Sequence, residues 1–352
     1  MKKTTKIVAF MVTVIICFAT LLSSCHANTV KQTHTTFDYF DTVSTLTVYT
    51  DKKSFEKYKE IFESVAQKYH ELFDIYNEHD GVFGLYELNR TIGEHEISSE
   101  LMDFLKEARR MHDLTGGHTN IAMGNVTSIW HETRERANAS PNDASLPHMS
   151  ALESASEHTD ISALKLNTVK MTVERLDTEM SLDAGALGKG YTADRIAEAL
   201  TDAGCESFLI NLGGNVSSHG KKPNGDPWLA TVEDPTIYID SELEEISLPT
   251  AINVSDMSLV TSGSYHRYFE LDGKRYHHII DPDTLMPSEY LLSVSVLTRS
   301  SLQADALSTA LFSMSIDEGI SLLKSLEDVY VIWIDNDGNV TFSDGFDTHI
   351  YK

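Results

Sequence analysis

Cysteine is scarce in this chain: there are three in 352 residues, Cys17, Cys25 and Cys205. The first two fall in an N-terminal leader, so the remaining body has one thiol and no internal disulfide. Its core must hold the fold unaided, and a chain of this length can bury a large one, as one big domain or two closely packed lobes. Positive charge is also scarce. Lys and Arg number 28 against 53 Asp and Glu, a formal net charge of −25. That excess repels nucleic acid and anionic headgroups, which excludes a nucleic-acid partner. An anionic ligand would need a local cation, whether a metal, a lysine or a helix N-terminus. The one long apolar run, residues 7–22, falls short of the ~20 residues of a comfortable membrane span. There is no internal repeat, no Walker A loop and no dinucleotide-binding fingerprint.

Lys2, Lys3 and Lys6 precede that apolar run, and "LSSC" ends it at Cys25. A basic start, a short apolar centre and small residues make a secretory signal, and Leu-Ser-Ser-Cys resembles the bacterial lipobox. The sequence therefore divides into a lipoprotein signal over 1–24, a polar lipid-anchored tether over 25–36 beginning at acylated Cys25, and a body over 37–352. The expected location is the extracytoplasmic face of the cell membrane, with the acidic body in solvent.

Strand-like alternation runs through "FDYFDTVSTLTVYT". From Lys52 to Tyr76 the apolar spacing predicts a long amphipathic helix, and "ELMDFLKEARRMHDLTGG" predicts another, stopped by glycine. Residues 131–160 read as a polar, partly helical excursion on the surface. "EMSLDAG" reads as a buried strand leading to a helix with the stripe Ala193, Ile196, Ala197 and Leu200, stopped at Gly204. "SFLINLGGN" predicts a second strand. "RYFELDGKRYHHIIDP" predicts a hairpin with a type I′ turn at Asp272-Gly273, "SLQADALSTALFSM" a helix, and "VYVIWIDNDGNVTFS" a further hairpin. Strands and helices alternate without a regular βαβ rhythm, so the fold class is α+β, with mixed or antiparallel sheets and packed helices.

Chemistry concentrates in "SLDAGALGKGYTADR", residues 181–195. Gly185, Gly188 and Gly190 allow close backbone approach. The helix N-terminus behind them and Lys189 suit an anion. Asp183 would repel a phosphate unless a divalent cation sat between them. The stretch reads as a metal-assisted phosphate site or, equally, as a glycine-rich strand-to-helix turn with a capping aspartate. In "ADALSTA", Asp305 and Thr309 share one helical face four residues apart. They suit magnesium, or are a solvated aspartate and a threonine bonded back to its own helix. In "YHHIIDP", alternation puts Tyr276, His278 and Ile280 on one face and His277 and Ile279 on the other. His278, beside the Asp281-Pro282 turn, could act as a base near neutral pH or be a structural histidine.

Together and in order, "FDTVSTLTVY", "GLYELNR", "TGGHTNIAMGNVTSIW", "MSLDAGALGKGYTAD", "LINLGGNV", "PWLATVEDP", "TSGSYHRYF" with "HHIIDP", and "DALSTALF" resemble the ApbE family, the FAD:protein FMN transferases. The resemblance implies a T-fold-like, two-lobed single catalytic unit. It also implies Mg2+-dependent transfer of FMN from FAD to a threonine of an acceptor flavoprotein, with AMP released. On that footing Asp183 and Lys189 contact FAD. The Ala186 carbonyl, Asp305 and Thr309 hold the metal. Phe40, Gly84, Leu85, Tyr86, His118, Thr119, Asn120 and Ile280 line the dinucleotide, and His278 is the base. Some positions depart from the family pattern. Phe40 stands where Met is common, Asp41 and Leu285 where Gly is common, Asn120 where Asp is common, and Ser308 where some members are acidic. Two rival readings are a Mg2+-dependent FAD pyrophosphatase giving FMN and AMP, and a non-enzymatic flavin-binding lipoprotein.

Overall fold

The computed structural model describes residues 29–238 and 246–352. The signal segment and Cys25 lie outside the described residues. In chain order the strands are β1 (Val30–Thr36), β2 (Ser44–Thr50), β3 (Glu94–Glu96), β4 (Leu164–Asn167), β5 (Thr172–Arg175), β6 (Phe208–Leu212), β7 (Asn215–His219), β8 (Leu229–Ala230), β9 (Ile252–Asn253), β10 (Ser258–Gly263), β11 (Tyr268–Leu271), β12 (Lys274–His277), β13 (Leu291–Thr298), β14 (Tyr330–Asp335) and β15 (Val340–Phe342). The α-helices are α1 (Lys52–Phe73), α2 (Leu85–Arg90), α3 (Ser99–Leu114), α4 (Gly124–Ala139), α5 (Met149–Ser156), α6 (Gly188–Asp202), α7 (Ser301–Phe312) and α8 (Ile316–Leu323).

Eight strands form one antiparallel sheet in the order β1-β2-β6-β7-β10-β13-β14-β15. Its central strand β13, LLSVSVLT, is buried along its whole length. Val294 and Val296 meet α7 together with Val260, Val331 and Trp333. Leu297 points the other way, to Trp228, Leu259, Ile332 and Phe346. Two buried faces explain an apolar run without polar alternation. On one face lie α1, α6 and α7, side by side. The predicted α6 stripe is present: Ala193, Ile196 and Leu200 pack on Leu46, Val48, Phe208 and Ile210 of the sheet. Burying each large apolar side chain contributes roughly 1.5–3 kcal/mol. A second core joins α2, α3 and the small sheet β3-β5-β4 to the C-terminal half of α1.

Several boundaries differ from the sequence expectations. Residues 30–36 are not a tether but the edge strand β1, in register with β2 from Val30↔Thr50 to Thr36↔Ser44. Its one strongly buried side chain is Thr36, so the strand carries no apolar alternation to betray it. The strand after it starts only at Ser44; Phe40 and Asp41 before it adopt φ of +57° and +49°. The helix expected to reach Tyr76 stops at Phe73, where Asp74 turns the chain and accepts the N–H of Tyr76 and Asn77. "EMSLDAG" forms no strand; among the described residues its one β-bridge is from Ser181 to Met123. Residues 124–139 form a full helix whose Trp130, Thr133 and Ala137 are buried, so this part of the expected surface excursion is a core element. The predicted turn is present, with φ of +52° at Asp272 and +76° at Gly273.

Candidate active site

The site grows from the turn into α6. Asp183 is pinned from three sides. Its N–H donates to the Ile121 carbonyl at 2.8 Å, its Oδ1 accepts from the Gly185 N–H at 2.8 Å, and its Oδ2 accepts from the Thr127 hydroxyl of α4 at 2.9 Å. The residue before it is clamped as well. The Asn89 amide on α2 donates to the Leu182 carbonyl and accepts its N–H, both at 2.8 Å. Gly190 is where α6 comes closest to α7. A Cβ there would lie 2.4 Å from the Ser301 carbonyl oxygen and 2.6 Å from Asp305 Cβ, so this crossing needs glycine.

That close approach also gives a free donor of the first helical turn its partner. Gly190 is the third residue of α6, so its N–H has no carbonyl partner within the helix. Here it donates to Asp305 Oδ2 at 2.8 Å, and the Ala186 carbonyl accepts no backbone N–H among the described residues. Asp305 is 4% exposed. Burial raises its pKa, opposed by the Lys189 ammonium, the Gly190 N–H and the Asn215 amide. Thr309, one turn further along α7, has a hydroxyl that bonds nothing among the described residues, although its carbonyl accepts from Ser313 at 3.4 Å. It is therefore not a threonine bonded back to its own helix. Its neighbour Ser308 is fully committed, donating to the Asp305 carbonyl at 3.0 Å and accepting from Ser262 at 2.9 Å. α7 is held in place from α6: Asp194 accepts from the Ser300 hydroxyl and the N–H groups of Ser301 and Leu302 at 2.7, 2.7 and 3.1 Å.

The β11–β12 hairpin supplies the third side. α4 lays Trp130 and Asn138 against it. Trp130 Nε1 donates to the Leu285 carbonyl at 2.8 Å and Asn138 to the Tyr268 carbonyl at 3.2 Å. His277 is buried with both nitrogens used, Nε2 on the Ser288 carbonyl at 2.8 Å and Nδ1 on the Ile279 N–H at 3.2 Å; burial lowers its pKa to about 4. His278 is the opposite case. Its Nδ1 is shut away from solvent without a partner. Burial lowers its pKa well below the ordinary value, and the charges of Arg267, Arg134 and Lys189 push it further down. It is a neutral, uncommitted imidazole near pH 7. The Lys189 charge is felt by both Asp305 on α7 and His278 after the hairpin.

The remaining expected residues divide. Phe40 packs its ring edge-on to His70, with centroids 5.5 Å apart, and donates its N–H to His70 Nδ1 at 3.3 Å. Gly84 sits over the end of α1, where a Cβ would meet the Leu72 carbonyl oxygen at 2.6 Å, and Tyr86 stacks under Arg90 at 3.6 Å. His118 reaches Ser313 at 3.5 Å, and Ile280 is buried beside Trp130. Leu85 and Thr119, expected to line a dinucleotide, have 0% exposure. The Leu85 side chain belongs to the core, and the Thr119 hydroxyl donates to the Ala306 carbonyl of α7 at 2.7 Å. Both side chains are packed inside the protein, so any contact of these two residues with a dinucleotide would come from their backbone. Asn120 is engaged at both ends, donating to the Thr159 carbonyl at 2.8 Å and accepting from the Ala122 N–H at 2.9 Å. Sequence reasoning overlooked Thr127, Asn89, Asp194, Asn215 and Arg134, all polar residues whose roles depend on partners far away in the chain.

The sequence profile of the ApbE family matches residues 40–333. The chain belongs to the ApbE family. Among curated ApbE-type relatives, the FAD:protein FMN transferase of Haemophilus influenzae is 31% identical over 250 residues, 70% of this chain and 70% of its own. That of Treponema pallidum is 33% identical over 264 residues, 71% and 69% of the two chains. Among solved structures, an ApbE protein of Thermotoga maritima superposes with a TM-score of 0.80 at 22% identity, covering 92% of this chain and 100% of its own. The flavin transferase ApbE of Vibrio cholerae gives 0.74 at 23%, covering 91% and 100%. The two positions at which the family resemblance led glycine to be expected have left-handed backbone here. Asp41 and Leu285 hold φ of +49° and +60°, left-handed values that glycine adopts without strain.

Proposed function

We propose that this chain transfers the FMN half of FAD to a threonine hydroxyl of an acceptor protein, releases AMP, and binds Mg2+ to do so. Membership of the ApbE family supports the reaction type. What supports the residue roles is that the His278 imidazole, the Thr309 hydroxyl and the Ala186 carbonyl are left without hydrogen-bond partners among the described residues, while the carboxylate of Asp305 is buried.

The donor set fits a hard divalent cation. A carbonyl and a hydroxyl without protein partners, next to a carboxylate whose burial is only partly offset, are oxygen donors of the kind Mg2+ prefers. Ala186, Asp305 and Thr309 would hold the ion, which when bound neutralises charge on a pyrophosphate. Lys189 and Asp183 border the same place, so the pyrophosphate of FAD would lie along the 183–190 turn. The neutral His278 imidazole takes the proton of the acceptor hydroxyl, and the freed oxygen forms a bond to the phosphorus of the FMN half. The bond from that phosphorus to the bridging oxygen of AMP breaks, and AMP leaves with that electron pair. FMN stays on the acceptor as a phosphoester, and the proton remains on His278 until solvent removes it.

The test is incubation of the chain with FAD, Mg2+ and candidate acceptor proteins, with each acceptor weighed by mass spectrometry. The expected result is one added FMN, lost in EDTA and lost in Asp305→Ala. FMN and AMP released freely without acceptor, at the same rate as with it, would replace this reading by FAD hydrolysis. Cys25 is proposed as the lipid-bearing N-terminus, with the body on the outer face of the membrane. Cys25→Ser should leave the body soluble or its leader uncleaved, because stable anchoring needs more than one acyl chain's marginal binding.

A further inference from the structure

Asn215 opens β7, directly after the Gly213-Gly214 turn, and is 2% exposed. Its amide nitrogen is buried and has no hydrogen-bond partner in good geometry among the described residues. Buried amide donors are almost always satisfied, so an orphan next to a site points to something that completes it. The group this amide faces is the carboxylate of Asp305, whose Oδ2 already accepts the Gly190 N–H at 2.8 Å. Neighbouring hydroxyls are spent elsewhere: Ser308 on Ser262 and on the Asp305 carbonyl, Ser217 on Ser258 at 3.0 Å.

We infer that Asn215 is a positioning residue for the cation, and the inference rests on the metal assignment made above. The Gly190 N–H and the Asn215 amide approach the Asp305 carboxylate from two different elements, α6 and β7. A carboxylate bonded by the Gly190 N–H and flanked by the Asn215 amide is restricted in rotation, so its remaining lone pairs would stay presented to a cation shared with Thr309 and the Ala186 carbonyl. Groups that orient a metal-binding side chain in this way typically change metal affinity by ~10–100-fold when removed. Asn215 itself donates only N–H toward the carboxylate and is not a metal ligand.

The experiment measures FAD affinity by quenching of flavin fluorescence, in EDTA and across a Mg2+ series, for the wild-type chain and Asn215→Ala. The wild type should bind FAD more tightly as Mg2+ is added. In the variant the Mg2+ concentration giving half of that tightening should rise ~10–100-fold, while affinity in EDTA stays as in the wild type. Equal loss in EDTA and in Mg2+ would overturn the inference, because Asn215 would then touch FAD itself. An unchanged Mg2+ midpoint would also overturn it. If the alanine variant does not fold by circular dichroism, Asn215→Ser replaces it, since its hydroxyl falls one atom short of the amide nitrogen and should give the same Mg2+ shift. A wild type that shows no tightening by Mg2+ refutes the metal assignment itself, an outcome separate from the behaviour of the variants.

Discussion

His277 and His278 are neighbours with opposite fates, and so are Ser308 and Thr309. In each pair the first residue is used up inside the protein. His277 bonds the Ser288 carbonyl and the Ile279 N–H, and Ser308 bonds Ser262 and the Asp305 carbonyl. In each pair the second residue is left open: His278 has an orphaned Nδ1, and the Thr309 hydroxyl has no partner among the described residues. The difference arises from direction alone. His277 ends β12 and turns toward Phe312, whereas His278 lies in the bend just past the strand end; successive residues of a helix are turned by about 100°. Chemistry of the same kind is therefore structural on one side of an element and available on the other. Residue type does not decide which is which; the side it faces does.

The largest effect expected is on His278. His278→Ala should slow FMN transfer to an acceptor by ~10²–10⁴-fold, the usual range for loss of a general base, with FAD affinity and melting temperature near those of the wild type. If affinity falls in step with rate, His278 is a binding residue and the contrast with His277 fails.

His277→Ala should do the reverse. It leaves a cavity beside Phe312 and strands the Ser288 carbonyl, at a cost of ~2–4 kcal/mol in stability, while flavin affinity persists in the protein that remains folded. The same residue sets an acid limit. Its pKa is lowered from 6.5 to about 4, so the unfolded chain takes up the proton first. Stability from this group is complete above pH ~6.5 and declines as pH falls from there to about 4, by up to roughly 3 kcal/mol. Melting temperature followed from pH 7 to 4 should drop more steeply in the wild type than in His277→Asn. Equal slopes would remove His277 as the cause.

On α7 the effects are smaller. Thr309→Val should raise the Mg2+ needed for half-maximal transfer by at least ~10-fold, with little change in melting temperature. Ser308→Ala should leave the Mg2+ requirement alone and cost about 1 kcal/mol, the worth of one or two buried hydroxyl bonds. The comparison breaks if the two variants shift the Mg2+ requirement equally.

Much of this was legible from the chain. The α6 stripe of Ala193, Ile196 and Leu200, the Asp272-Gly273 turn and the helix carrying Asp305 and Thr309 are local patterns, and local patterns survive folding when burial supports them. Residues 30–36 were misread because Thr36 is their only strongly buried side chain. β1 exists because β2 offers an edge to pair with, and no periodicity within 30–36 records that. The burial of Leu85 and Thr119 was equally hidden. The motifs around them mark a wall of the site without saying which of their side chains turn outward.

The sequence by itself determined the elements and the inventory of the site: a single-thiol acidic body, a glycine-lined turn with Asp183 and Lys189, a carboxylate and hydroxyl four apart on one helix, and two histidines at a strand end. These follow from composition and short-range spacing, which act within one or two turns of chain. Only the tertiary structure decided which of those groups are free. The Gly190 N–H, a free donor of the first turn of α6, finds Asp305 because α6 and α7 touch at a residue without a side chain. Asp183 meets Thr127 across 56 positions of sequence, and α4, which carries Thr127, is also bonded through Trp130 to the Leu285 carbonyl. Hydrogen-bond partners are chosen by proximity in space, and that choice separates the groups that hold the protein together from those left to act on a ligand.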